Sequence, residues 1–68
     1  MSEIHQMALQ SGFLVRQNMS WQFEVLCAAT GEIISRNHAT REKAWEWAYE
    51  QVRSGRTALR SANEQRKP

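Results

Sequence analysis

The alternating segment Trp21–Cys27 constrains the fold more than any other part of this sequence. Its aromatic and apolar residues alternate with Gln22 and Glu24, and a period of two is expected for a strand with one buried face. Phe13–Gln17 and Ile33–Arg36 are interpreted as flanking strands, because the segments between them contain the Asn, Ser and Gly residues that favour turns. Short connections favour antiparallel pairing, so the three strands are predicted to form a meander.

A helix is predicted after the third strand. Thr40 is the expected N-cap, and the helix runs from Arg41 to about Arg53, where Ser54 and Gly55 end it. A shorter helix is expected within residues 2–10, and the segment 57–65 either forms a further helix or continues the main one. The main helix has one apolar arc, which consists of Ala44, Trp45, Ala48, Tyr49 and Val52.

The predicted fold class is α+β: a three-stranded antiparallel meander packed on one main C-terminal helix, with a short N-terminal helix or arm. The arm covers residues 1–11, the β-β-β-α domain 12–54, and a basic tail 55–68. The predicted core combines one sheet face with the helix arc: Phe13, Val15, Trp21, Phe23, Val25, Cys27, one of Ile33 or Ile34, Ala44, Trp45, Ala48, Tyr49 and Val52.

One helix covers only one face of a sheet. The other face would carry Leu14 and Leu26 with one isoleucine, beside Arg16 and Glu24. This face is too apolar for full solvation, so either the N-terminal segment or another chain is expected to cover it. These residues are therefore candidates for partner binding.

A chain of 68 residues can bury only about 60% of its unfolded surface, so its stability is marginal. The single cysteine, Cys27, excludes an internal disulfide and a Cys-x-x-Cys zinc site. No apolar run is long enough to span a membrane, and the first ten residues lack a signal-peptide pattern. We therefore expect a cytoplasmic protein with no membrane partner.

Charge is divided unevenly along the chain. Residues 1–52 have a net charge of −2, residues 53–68 have +4, and every acidic residue is Glu. The basic character therefore belongs to the C-terminal segment. This segment is either a solvated tail or an electrostatic contact for nucleic acid or an acidic protein.

Catalytic residue sets are absent from the sequence. Cys27 alternates with core residues and is expected to be buried, while His5 and His38 lack the close ligand spacing of a metal site. Glu42, Glu46 and Glu50 follow a four-residue spacing that is typical of a solvated helix face. We therefore expect a protein that is not an enzyme, with no metal, no cofactor and no small-molecule substrate.

Two groups of residues are candidates for binding. Trp47 lies about 60° outside the apolar arc, as either a core-flanking residue or an exposed interface anchor. Basic residues near the helix start would suit phosphate, and those of the tail would add to them. The candidate nucleic-acid-binding residues are Arg36, Arg41, Lys43, Arg56, Arg60, Arg66 and Lys67.

Three stretches resemble the second hairpin and final helix of double-stranded-RNA-binding domains: Phe23–Val25, Thr30–Ile34 and residues 40–48. In that family the final helix opens with a serine and a basic run that grips phosphates across a groove. The resemblance implies this role for Thr40, Arg41 and Lys43.

The segment 21–53 is also similar to the arm-type DNA-binding domains of phage integrases, whose sheet enters the major groove. That resemblance implies base-reading roles for Arg16, Gln22, Glu24 and Arg36. The hairpin 23–34 is similar to small YegP-like domains, whose role is not defined.

Two functions of different class follow. The first is a small protein-binding module, of the kind that phages and mobile elements use to inhibit or regulate a host protein, with another protein or a second copy as partner. Its candidate residues are Trp47, Leu14, Leu26, Arg16 and Glu24. The second is a nucleic-acid-binding accessory protein that uses the helix start and the basic tail. The acidic balance of residues 1–52 favours the first.

Overall fold

The structure is a computed structural model that describes residues 3–66, without the side chains of residues 65 and 66. Its elements in chain order are α1 (Glu3–Gln10), β1 (Phe13–Gln17), β2 (Phe23–Cys27), β3 (Ile33–His38), α2 (Arg41–Arg53) and α3 (Ala58–Arg66). The strands form one antiparallel sheet in the order β1-β2-β3. The α+β prediction is therefore confirmed, together with the strand meander and the main helix.

The sheet register determines which residues face the helices. β1 and β2 pair without interruption, from Phe13 opposite Cys27 to Gln17 opposite Phe23. The β2–β3 pairing contains two irregularities, one between Phe23 and Val25 and one between Val25 and Leu26, after which Leu26 lies opposite Ile33. Ile34 is consequently the isoleucine that joins the core, and Ile33 shares the opposite face with Leu26.

Small side chains allow three helices to pack on one face of this small sheet. α1 packs on α2 and β1, α2 lies over all three strands, and α3 packs against β2 and β3. Each helix contributes alanines to the core, which permits close approach of the backbones. The buried core residues are Ala8, Phe13, Val25, Cys27, Ile34, Ala44, Ala48, Ala58 and Ala62.

Local signals in the sequence explain the helix boundaries. The hydroxyl of Thr40 accepts a hydrogen bond from the backbone N–H of Lys43 at 3.1 Å, which confirms the predicted N-cap. Gly12 follows α1 with a φ of +89°, a conformation that glycine adopts without steric penalty. A Cβ at Gly12 would lie 3.4 Å from that of Ala58, so this turn packs directly against the start of α3.

The basic C-terminal segment folds onto the domain as a helix. The backbone N–H of Ala58 donates to the carbonyl of Ser11 at 2.9 Å, and Thr57 caps α3 by accepting from Arg60 at 3.3 Å. Ala58 and Ala62 are buried, so α3 belongs to the core. Ser2, where the predicted N-terminal helix begins, lies outside the described residues.

Two sequence predictions about local structure are wrong. β2 begins at Phe23, and Trp21 lies in the preceding loop with 79% of its surface exposed, so it is not a core residue. β3 extends to His38, two residues beyond the predicted end of this strand at Arg36, so this histidine lies in a strand and not in a loop. The other predicted core aromatic residues and valines are buried or partly buried. None of the helices within residues 3–66 has the length and hydropathy needed to cross a membrane.

Candidate functional site

The connection between β1 and β2 is a five-residue loop, residues 18–22, hereafter the hairpin loop. The side-chain oxygen of Asn18 accepts hydrogen bonds from the backbone N–H groups of Ser20 at 2.8 Å and Gln22 at 3.1 Å. The backbone N–H of Asn18 donates to the carbonyl of Gln22 at 2.8 Å, and that of Trp21 donates to the carbonyl of Asn18 at 3.2 Å. One asparagine therefore holds the loop in a single conformation.

The hairpin loop exposes two large apolar side chains. Met19 is 100% exposed and Trp21 is 79% exposed. Trp21 also has a φ of +64°, in the left-handed region that disfavours residues with a Cβ. This backbone costs about 1–2 kcal/mol. The fold therefore maintains an exposed indole on a strained backbone.

A buried carboxylate connects the loop to the sheet. The side chain of Glu24 is only 9% exposed, and it accepts from the Arg16 guanidinium at 3.1 Å and from the Asn18 amide at 3.4 Å. Buried carboxylates are destabilising unless they are paired in this way. Arg16 and Glu24 were predicted as partner-binding residues, and the structure brings them together beneath the hairpin loop. With residues 17–20 they line a shallow depression.

The sheet face that carries Glu24 is not covered by α1, because this helix packs on the other side of the sheet. Leu14 on this face is 42% exposed. Leu26, in contrast, is only 6% exposed, since it lies on the central strand between Leu14 and Ile33. Leu14 is therefore the more accessible of the two leucines predicted to bind a partner.

Trp47 is partly buried and packs on the core. Its ring meets that of Phe13 edge-on, with centroids 6.3 Å apart, and lies 6.1 Å from the ring of His38. This geometry matches the core-flanking alternative, although the ring also lines a surface depression with His38.

Those of the predicted nucleic-acid-binding cations that the structure describes are divided among β3, the start of α2, the turn before α3 and α3 itself. Arg36 and Lys43 are exposed and pair with no carboxylate among residues 3–64, while the Arg41 guanidinium lies 5.4 Å from the centroid of the Phe23 ring. In the basic segment, Arg56 and Arg60 both pair with one glutamate, Glu64, at 3.0 and 3.8 Å. Lys67 and the side chain of Arg66 lie outside the described residues.

The side chains of Ser35 and His38 form a hydrogen bond that the sequence analysis missed, with 2.8 Å between Ser35 Oγ and His38 Nε2. Burial lowers the pKa of the His38 imidazole below its ordinary value of about 6.5. No carboxylate in the described chain hydrogen-bonds this imidazole, so a serine and a histidine are present without an orienting acid. The residues that the structure describes also contain no group of three or more side chains placed to hold a metal ion.

Met19 and Trp21 are the residues of this site that sequence reasoning did not single out. The alternation of Trp21 with Phe23 concealed the loop, because the pattern continues two residues beyond the strand. Asn18 was the available signal, because an asparagine side chain favours a turn by accepting hydrogen bonds from later backbone N–H groups. Here it accepts from Ser20 and Gln22, so the loop extends to residue 22.

The chain matches no protein family, no curated protein and no solved structure. The resemblances drawn from the sequence therefore stay predictions.

Proposed function

We propose that the chain is a small non-enzymatic module that binds another protein through its hairpin loop. The observation that carries this proposal is Trp21, an exposed indole on a strained backbone that Asn18 holds in place. Backbone strain persists where the surrounding structure enforces it, and it is concentrated at functional sites.

Trp21 and Met19 have the chemistry of an interface anchor. Tryptophan is enriched among the residues that contribute most to binding, because its large apolar surface has few rotatable bonds. The loop is already ordered by Asn18, so binding loses little conformational entropy. Leu14 and the half-exposed Arg16 guanidinium extend the contact onto the neighbouring sheet face.

The test compares Trp21→Ala with Leu59→Ala, which shortens an exposed apolar side chain on α3. Partners would be captured from nuclease-treated lysate of the native cells and quantified by mass spectrometry. The dissociation constant of the captured partner would then be measured for each variant. We expect Trp21→Ala to weaken binding by at least about 30-fold, and Leu59→Ala to leave it unchanged. Equal affinity for the wild type and Trp21→Ala would contradict the proposal.

Nucleic-acid binding is the second candidate function, and the exposed, unpaired Arg36 and Lys43 favour it. An exposed indole also provides a surface on which a nucleobase stacks. Phosphate contacts release counterions, so such binding would fall steeply between about 50 and 200 mM salt. Gel shifts with single- and double-stranded DNA and RNA measure this, with Arg36→Gln plus Lys43→Gln as the test variant. The absence of a shift at low salt would exclude this function.

A further inference from the structure

A groove runs along the exposed side of α2, where α1 crosses it, well apart in sequence from the hairpin loop. It consists of two adjoining depressions of about 260 and 470 Å³, which share Ile4 and Glu46. His5 and Trp45 line the first depression, and His38, Trp47 and Tyr49 line the second. We refer to this feature as the α1–α2 groove.

Aromatic rings form the walls of the α1–α2 groove. The rings of His5 and Trp45 lie 4.8 Å apart at an interplanar angle of 33°, and those of His38 and Trp47 lie 6.1 Å apart at 54°. The two tryptophans pack partly on the core, so the protein holds their positions, and Trp45 lines the first depression while Trp47 lines the second. Their faces carry the partial negative charge that attracts a cation.

The carboxylates of α2 follow the same groove. Glu42 lines the first depression, Glu50 the second, and Glu46 both. All three are exposed, and neither Glu42 nor Glu46 forms an ion pair within the described residues. Among the described residues that line the depressions, Lys43 is the one lysine or arginine, beside the imidazoles of His5 and His38. Glu50 pairs with Arg53 at 3.3 Å on the exposed surface, and such exposed pairs contribute little. The groove therefore keeps an excess of negative charge, which is greatest at Glu42 and Glu46.

We infer that the α1–α2 groove binds a basic segment of another protein, with one arginine or lysine in each depression. Carboxylates form charge-assisted hydrogen bonds with a guanidinium or ammonium, and an adjacent indole adds a cation–π contact of about 0.5–2 kcal/mol. Neither contact serves an anionic or an aliphatic ligand, so charge complementarity identifies the occupant as basic.

The helix geometry also sets the spacing of the two cations. Glu42 and Glu50 are eight residues apart, which corresponds to about 12 Å along a helix. An extended peptide advances about 3.3 Å per residue. Two basic residues separated by three or four positions would therefore reach both depressions at once.

The experiment measures fluorescence polarisation of a labelled Gly/Ser peptide that carries two arginines four positions apart, with the full chain as receptor. We expect the wild type to bind it at least tenfold tighter than the same peptide with glutamines in place of the arginines. Glu46→Gln, which alters both depressions, is expected to weaken binding at least fivefold. Glu64→Gln removes the same charge from α3 and is expected to have less than a twofold effect, since Glu64 lines neither depression.

Each remaining outcome overturns the inference. Equal loss in Glu46→Gln and Glu64→Gln would show a long-range charge effect without a site. Equal affinity for the arginine and glutamine peptides would show that the groove does not select cations. Self-association of the wild type that Glu46→Gln abolishes would make a second copy the occupant. Trp21→Ala is expected to bind the peptide normally, which separates this inference from the function proposed for the hairpin loop.

Discussion

Replacing Trp21 with glycine is expected to affect the stability of the fold and partner binding differently. Glycine accepts the backbone φ of +64° without the cost of about 1–2 kcal/mol that applies to tryptophan, although glycine loses about 0.5–1 kcal/mol more through chain entropy. Little buried surface is lost, because the side chain is largely exposed. We therefore expect Trp21→Gly to keep the free energy of unfolding or raise it by up to about 1 kcal/mol, while partner binding is lost.

Urea denaturation of the wild type and Trp21→Gly measures this stability effect. Asn18→Ala is the matched comparison, since it removes the acceptor of the Ser20 and Gln22 amides and is expected to lower stability by about 1 kcal/mol. A clear loss of stability in Trp21→Gly would show that the indole has a structural role.

His38 is predicted to make stability depend on pH. Its imidazole is partly buried beside Ser35 and Trp47, and burial lowers its pKa below the unfolded value of about 6.5. The unfolded chain therefore binds more protons than the folded chain just below pH 6.5, so this contribution to stability is complete above that pH and falls as the pH decreases. The surface depression that His38 lines contains other ionisable side chains, which are unchanged in the His38 variant described below: Lys43, Glu46, Tyr49 and Glu50.

The variant that tests this dependence is His38→Gln, which keeps a polar side chain that cannot titrate. We expect the melting temperature of the wild type to drop more than that of His38→Gln between pH 7.5 and pH 5. Parallel curves for the two proteins would contradict the role of His38.

At the scale of elements, α3 is predicted to stabilise the domain through its alanine face. Ala62 is buried against the sheet, whereas its neighbour Asn63 is exposed. A carboxylate at residue 62 would be buried without a partner, so we expect Ala62→Asp to lower the free energy of unfolding by about 2–4 kcal/mol. Asn63→Asp is the control, with an expected effect within about 0.5 kcal/mol. Hydrogen exchange of the α3 amides would show whether the helix undocks.

The elements also show what the sequence can predict. Thr40, Gly12 and the period of the main helix act locally, so the boundaries of α2 and the end of α1 follow from the chain itself. The loop at Trp21 and the irregularities in the β2–β3 pairing depend on which residues pair between neighbouring strands, and the pattern within one strand does not determine this. An alternating apolar pattern does not show at which residue the pairing between strands ends, and for this reason Trp21 was assigned to the core.

For the whole molecule, the main gap in sequence reasoning is the α1–α2 groove. The spacing of Glu42, Glu46 and Glu50 predicts a solvated stripe, and the exposure of these residues agrees with it. Only the docking of α1 on α2 places His5 and Ile4 beside that stripe and forms two depressions. A groove that forms between two helices cannot be predicted from the residue pattern of either helix alone.

Within residues 3–66, three helices lie on one face of the sheet and none lies on the other. Five alanines line the core, so α1, α2 and α3 can all approach the small sheet closely. Packing three helices on the sheet increases the buried area, which is limited in a chain of 68 residues. The opposite face, with Leu14 exposed, is then accessible to the partner that we propose for the hairpin loop. The candidate surfaces thus follow from where the helices pack.

The closed hairpin loop has a consequence for how specificity could change over evolution or in engineering. Asn18 fixes the loop through its own side chain and backbone, and the exposed side chains at positions 19 and 21 contribute little to the core. If the hairpin loop binds the partner as proposed, substitutions at these two positions would alter what is recognised while the scaffold stays intact. Homologous chains would accordingly be expected to diverge at 19 and 21 while retaining Asn18, Glu24 and the alanine core, and a grafted pair of side chains should transfer a new specificity to this domain.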